Sequence, residues 1–295
     1  MDRPLRIHFA MAFGIFAICC DCRAQDVRIS SMTNSIHNYE VLVQQSVSSR
    51  DGETWFTLAR LYQDVARYKD AEQAYSKALV LLKVQDPVAL ASAMDCMGTM
   101  YVAMGKYDKG EKRERKALTM REAQHDSLGV GLSWMHLGML ELGKHHASDA
   151  AMYAQWAVDR IVTKSGTEQN GATPEQKMTA LIDLALALCA QGRGSLALIS
   201  LTQAHEIAEA NYPMKSFPVA YIDFLLGYAH WKSGELELAA EQMKNGTSSM
   251  YAQLGWGHPT FIAAMEQYAG FLKETRRRTE AAEVKQQIAR VREAQ

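Results

Sequence analysis

Cysteine is scarce where it could matter. Of the five cysteines in 295 residues, Cys19, Cys20 and Cys22 stand in the opening segment, leaving Cys96 and Cys189. An exported domain stapled by disulfides carries more, so these two are read as small buried hydrophobes and stability as coming from packing alone. Charge of one sign is missing too: Lys+Arg number 32 against Asp+Glu 33, a net charge of −1. Apart from Arg276–Arg278 there is no basic block, and a nucleic-acid binder normally shows a basic face. Pro87, Pro174, Pro213, Pro218 and Pro259 fall at intervals expected to separate helices, because proline breaks helix interiors. No stretch sustains apolar/polar alternation, so no sheet is predicted.

The first 24 residues are unlike the rest. Arg3, Arg6 and His8 make a basic start, and Phe9–Cys20 is an apolar run of 12. Ala24 and Cys22 then place small residues where a signal peptidase reads. The run is short of the about 20 residues that span a bilayer. Residues 1–24 are therefore expected to be a cleaved secretory signal with Gln25 as the mature N-terminus, and the protein to be periplasmic or secreted without a transmembrane helix in the mature chain.

Signals for chemistry are few. "HEIAE" from His205 begins like a zinc-protease helix but has Glu209 where the second His is needed. His136, His145 and His146 with Asp149 are the remaining candidate ligands, and an ordinary solvated turn accounts for His145 and His146. There is no phosphate-binding Gly-x-x-x-x-Gly-Lys loop. "GLSWM" from Gly131 lacks the last Gly of a nucleophile elbow. The expectation is no enzyme activity, no catalytic residue, no metal and no cofactor.

What the chain does have is repetition. "YQDVARYKDAEQAYSKAL" from Tyr62 returns as "YVAMGKYDKGEKRERKAL" from Tyr101. Small residues extend the register to six copies: Ala59, Gly98, Gly138, Ala185, Gly227 and Ala269 in one column. A second holds Ala71, Gly110, Ala150, Ala197, Ala239 and Ala281, and a third Ala78, Ala117, Ala157, Ala204, Gly246 and Ile288. Successive copies are 39, 40, 47, 42 and 42 residues apart. Large apolar residues flank the small ones at steps of three and four, so each copy is a helical hairpin, helix A then helix B, whose small residues let the helices cross closely. Ala66, Gly105, Gly192 and Gly234 mark the turns between them. Predicted copies span about 52–86, 91–125, 131–163, 178–211, 220–250 and 262–292. Residues 25–50, with Ile36, Tyr39, Val43 and Val47 at helical steps, are expected to cap the first.

Trp55, Leu58-Ala59, Tyr62, Ala71, Tyr75 and Ala78 of copy one resemble the tetratricopeptide-repeat (TPR) pattern. Met97-Gly98, Tyr101, Gly110 and Ala117 repeat it. The longer period and "LGWGHP" from Leu254 are similar to kinesin-light-chain repeats. The resemblance implies an all-α, right-handed α-solenoid of about six stacked hairpins over residues 51–295. It also implies a protein-interaction scaffold whose A helices line a groove.

In that register the groove is lined by Phe56, Arg60, Met135, Met139, Ile182, Leu186, Phe224, Tyr228 and Trp231. The strip is apolar in the middle and suits a hydrophobic peptide or amphipathic helix. A lysine–asparagine clamp for acidic tails is absent. The same strip could instead join two copies of the chain or be covered within it. The expected function is an exported, non-catalytic adaptor that holds a protein segment. The alternative is a self-associating structural component of an envelope complex.

Overall fold

The computed structural model describes residues 25–45, 50–163, 171–256 and 258–293; the expected signal, residues 1–24, lies outside them. Among the described residues every α-helix falls in one series: α1 (Gln25–Leu42), α2 (Gly52–Asp64), α3 (Tyr68–Gln85), α4 (Pro87–Ala103), α5 (Tyr107–Ala123), α6 (Ser127–Gly143), α7 (Ala147–Val158), α8 (Pro174–Ala190), α9 (Gly194–Asn211), α10 (Phe217–Ser233), α11 (Leu236–Leu254), α12 (Pro259–Glu274) and α13 (Arg278–Glu293). A π-helical turn, Asp159–Thr163, follows α7, and no strand occurs among these residues. After α1 the helices come as six A–B pairs. The chain divides into two compact units, one running to Leu140 and the other starting at Glu141.

Five A helices begin earlier than the small-residue register suggests, and in four of them proline is the reason. Pro87, Pro174 and Pro259 are the first residues of α4, α8 and α12, and Pro218 is the second of α10. The first helical position needs no N–H donor, so proline opens a helix there. In α4, α8 and α12 the residue before the proline supplies the cap. Asp86 accepts from the Val88 and Ala89 amides at 2.9 and 3.1 Å. Thr173 and Gln176 form a reciprocal capping box, and His258 Nδ1 accepts from Thr260 N at 3.2 Å.

All six A–B turns share one device. A residue with positive φ sits past the end of helix A: Ala66, Gly105, His145, Gly192, Gly234 and Arg276. The next amide then bonds back five residues, from Arg67 to Tyr62, Lys106 to Tyr101, His146 to Glu141, Arg193 to Leu188, Glu235 to His230 and Arg277 to Leu272, at 2.8–2.9 Å. This left-handed cap satisfies carbonyls that the helix end would leave open.

Within the first unit two polar links recur that the register alone did not show. Tyr62 Oη donates to Glu40 of α1 at 2.7 Å, and Tyr101 Oη to Glu72 of α3 at 2.6 Å. A cation covers each ring, Arg67 over Tyr62 at 4.4 Å and Lys109 over Tyr101 at 5.2 Å. Glu40 thus stands to Tyr62 as Glu72 stands to Tyr101, and Ile36 and Tyr39 of α1, with Val43 just past its end, pack on the core of the first hairpin. Gln85 Nε2 donates to Arg50 O at 2.7 Å and Gln124 Nε2 to Pro87 O at 3.0 Å, each tying the end of helix B to the start of its own helix A. In the second unit Gln253 does the same to Lys215 O at 2.6 Å.

Close approach is enforced at the small columns. A Cβ on Gly246 would lie 2.6 Å from Phe224 N, and one on Gly227 2.6 Å from Met243 N. Gly246→Ala is expected to lower stability by about 1–3 kcal/mol through overpacking against α10 backbone, read as a drop in urea midpoint. Ala66→Gly and His145→Gly relieve left-handed strain and are expected to raise it by about 0.5–1 kcal/mol, because the relief exceeds the added freedom of the unfolded chain. Thermal unfolding of the two single variants checks this; an unchanged or lower midpoint would contradict it.

Candidate functional site

The side chains expected to line a groove are placed differently by the structure. Arg60 is exposed and Phe56 partly buried, its ring 6.2 Å from that of Tyr75. Met135, Met139, Ile182, Leu186, Phe224, Tyr228 and Trp231 are buried, none more than 9% exposed. This corrects the reading of the middle of the strip as an open lining. In the second unit the physical reason is visible. Helix α10 packs on α9 and α11 and also on the neighbouring A helices α8 and α12. Every residue of α8 from Met178 to Cys189 is buried, as in a helix that is apolar all round. Phe224 lies inside its hairpin against Gly246. Trp231 stacks edge-on against both Tyr228 and Phe271 at 5.7 Å, donates from Nε1 to Glu274 at 3.1 Å, and is covered by Lys232 at 3.7 Å. Burial pushes the Tyr228 phenol well above its usual range.

The first unit holds a different concentration of chemistry. Asp95 of α4, Glu114 and Arg121 of α5, and Ser133 of α6 are all buried, with His136 of α6 at their edge. Arg121 Nη1 donates to Asp95 Oδ2 at 3.0 Å, to Ser133 Oγ at 2.8 Å and to the Gly129 carbonyl at 2.9 Å. Ser133 Oγ donates to Asp95 Oδ1 at 3.4 Å. His136 Nδ1 lies 3.1 Å from Asp95 Oδ2 and 3.6 Å from Glu114 Oε2, yet is aligned for a hydrogen bond to neither. Neither Glu114 oxygen receives a hydrogen bond. Glu114 fits because Gly98 has no side chain: a Cβ there would stand 2.3 Å from Glu114 Oε1.

Burial and mutual charge set the protonation of this cluster. Burial, reinforced by the adjacent Asp95 charge, raises Glu114 well above the carboxylate range. Burial would raise Asp95 as well, but His136 and Arg121 outweigh it and hold Asp95 well below that range. Burial opposes charge on His136, and the pull of Asp95 and Glu114 overcomes it, raising the imidazole to about 10. A buried ionic network adds little net stability over a well-packed apolar core. Removing one member is costly. Arg121→Met leaves the Asp95 charge buried without the guanidinium and is expected to destabilise the chain by about 3–5 kcal/mol, measured by urea unfolding; a change under about 1 kcal/mol would show the pair to be solvated.

The other histidines are less concentrated. His146 Nδ1 lies 2.8 Å from Glu141, and with Asp149 these form a second group of potential ligands, mostly exposed. His136 is grouped instead with Asp95 and Glu114. His205 lies 3.0 Å from Asp223 and 3.5 Å from Glu209, so Glu209 is a neighbour of the imidazole in "HEIAE". Cys96 and Cys189 are both free thiols.

No family model matches the chain. A TPR repeat-containing protein of Dictyostelium discoideum is 23% identical over 186 residues, covering 61% of this chain and 10% of that relative, so the chain spans about a tenth of its length. Among solved structures, the apo form of RapI superposes with a TM-score of 0.69 at 14% identity, covering 91% of this chain and 72% of RapI. BtubC (BKLC) from P. vanneervenii gives 0.59 at 17% identity, covering 77% and 91%. The TPR-like repeats of a putative kinesin light chain from Podosopora anserina give 0.54 at 15%, covering 68% and 95%. The fold is that of tetratricopeptide-type helical repeats, of the kinesin-light-chain-like kind that the sequence resembles.

Proposed function

We propose that the chain is an exported, non-catalytic protein-interaction scaffold that holds an apolar or amphipathic segment of another protein. Support comes from the repeat fold, which it shares with a subunit of the APC/C hetero-tetramer Cut9–Hcn1 at a TM-score of 0.63 and 15% identity. The observation that carries the reading to a surface is a row of exposed valines in the first unit. Val80 and Val84 of α3 are 73% and 88% exposed, one helical turn apart, and Val88 at the start of α4 is 57% exposed. Apolar side chains at i and i+4 on a helix suit the face of a partner helix. Phe56 and Arg60, the expected groove residues that keep solvent access, belong to the same unit.

The test compares two proteins starting at Gln25, the wild type and a Val80→Glu, Val84→Glu variant of equal helicity. Cross-linking in extract from the producing cells is expected to join a defined protein to the wild type, with at least tenfold less joined to the variant. Equal recovery would move binding off α3. A mass that rises with concentration in the wild type and not in the variant would favour self-association instead. Export has its own measurement: the purified extracytoplasmic protein is expected to begin at Gln25, and an intact Met1 would overturn that part.

A further inference from the structure

We propose that Asp95, Glu114 and His136 form a binding site for one divalent first-row transition ion of the zinc class, which links helices α4, α5 and α6. The argument begins with Glu114. It is fully buried, and neither of its carboxylate oxygens receives a hydrogen bond. A buried carboxyl group left without a hydrogen-bond partner carries the cost of its desolvation, and a metal ion would offset it by displacing the proton that burial otherwise holds on Glu114. His136 Nδ1 has the same deficit. Its nitrogen faces two carboxylate oxygens at 3.1 and 3.6 Å and is aligned with neither.

Those separations are what a metal requires. Around a four-coordinate ion with bonds of about 2.0–2.1 Å, ligand atoms stand about 3.3 Å apart. One atom from each of the three residues lies within 4.8 Å of the other two. One imidazole and two carboxylates is a nitrogen–oxygen set. Imidazole favours zinc, iron, nickel or copper over magnesium or calcium.

The surroundings match a second requirement, that ligands be held from behind. Arg121 bonds Asp95, Ser133 and the Gly129 carbonyl at once, and Ser133 also reaches Asp95. Outer partners of this kind fix the orientation of ligating carboxylates. Gly98 provides the space that admits the Glu114 carboxylate. Three protein ligands leave a fourth position for water.

The experiment uses the tag-free chain, stripped with chelator and titrated with Zn2+ and, separately, with Mg2+. The expected result is one Zn2+ per chain, no comparable uptake of Mg2+, and a rise in Tm on adding Zn2+. Glu114→Gln keeps the shape and is expected to weaken binding at least tenfold and abolish the Tm rise. His146→Asn, in the second group of potential ligands, is expected to change neither. Co2+ in the wild type gives an independent readout, a visible d–d spectrum of a four-coordinate site. Failure of the wild type to bind, undiminished binding by a folded Glu114→Gln, or loss of binding in His146→Asn would each overturn the assignment.

Discussion

The fold depends on how closely helix A and helix B can approach. A single hairpin has an apolar face it cannot bury alone, so stability comes from stacking. Stacking at short range needs residues without bulk where the helices cross. Ala59, Ala71 and Ala78 of the first hairpin are fully buried, and at Gly227 and Gly246 even a methyl group would strike backbone atoms of the facing helix. The left-handed turn residues follow from the same constraint. To bring helix B back against helix A within a few residues, the chain must reverse immediately past the helix end, and the five-residue back-bond at each of the six turns does this. Where the turn residue is Ala66, His145 or Arg276, the geometry persists against the side chain's preference, because packing on both sides dictates it.

The same small columns decide where polarity can be hidden. In the first hairpin the position four residues beyond Ala71 is Tyr75, fully buried, whose hydroxyl donates to Gln63 at 2.7 Å. The equivalent position in the second is Glu114. A carboxylate in an aromatic slot leaves volume, which the Asp95, His136 and Arg121 side chains share. Gly98 in the facing column makes the exchange possible. The ionic cluster is thus a local variation on the repeat, and it draws the second hairpin and α6 into one polar contact.

Much of this was legible in the sequence and some was not, for reasons that differ by residue. The hairpin register could be read because alanine and glycine recur at fixed steps. The turns could be read where glycine marks them, and the turn at His145 was read as well, but at His145 and Arg276 the left-handed conformation is imposed on a side chain that gives no sign of it. Helix starts were read too late because proline was taken as a separator, when at the first helical position it belongs to the helix. Glu114 sits in a charged run and looks solvated there. Its spacing from Gly110 and Ala117, on the face that packs, was the signal for its burial. The apolar A-helix strip was read as a surface because its residues fall between the small columns. That inference holds only if an A helix touches its own B helix alone, and α10 packs on two other A helices as well.

That last point bears on how such a protein could recognise anything. A groove lined by A helices requires those helices to stand apart, and side chains as large as Phe224, Tyr228 and Trp231 fill the space when they do not. Apolar surface spent inside the stack is unavailable to a partner, while apolar surface left on a B helix is available at little cost to the stack. Val84, 88% exposed, contributes almost nothing to folding by burial, yet it raises the tendency to associate. A position of that kind is free to change without unfolding the repeat, so recognition on the B-helix side can vary while the A-helix core stays fixed.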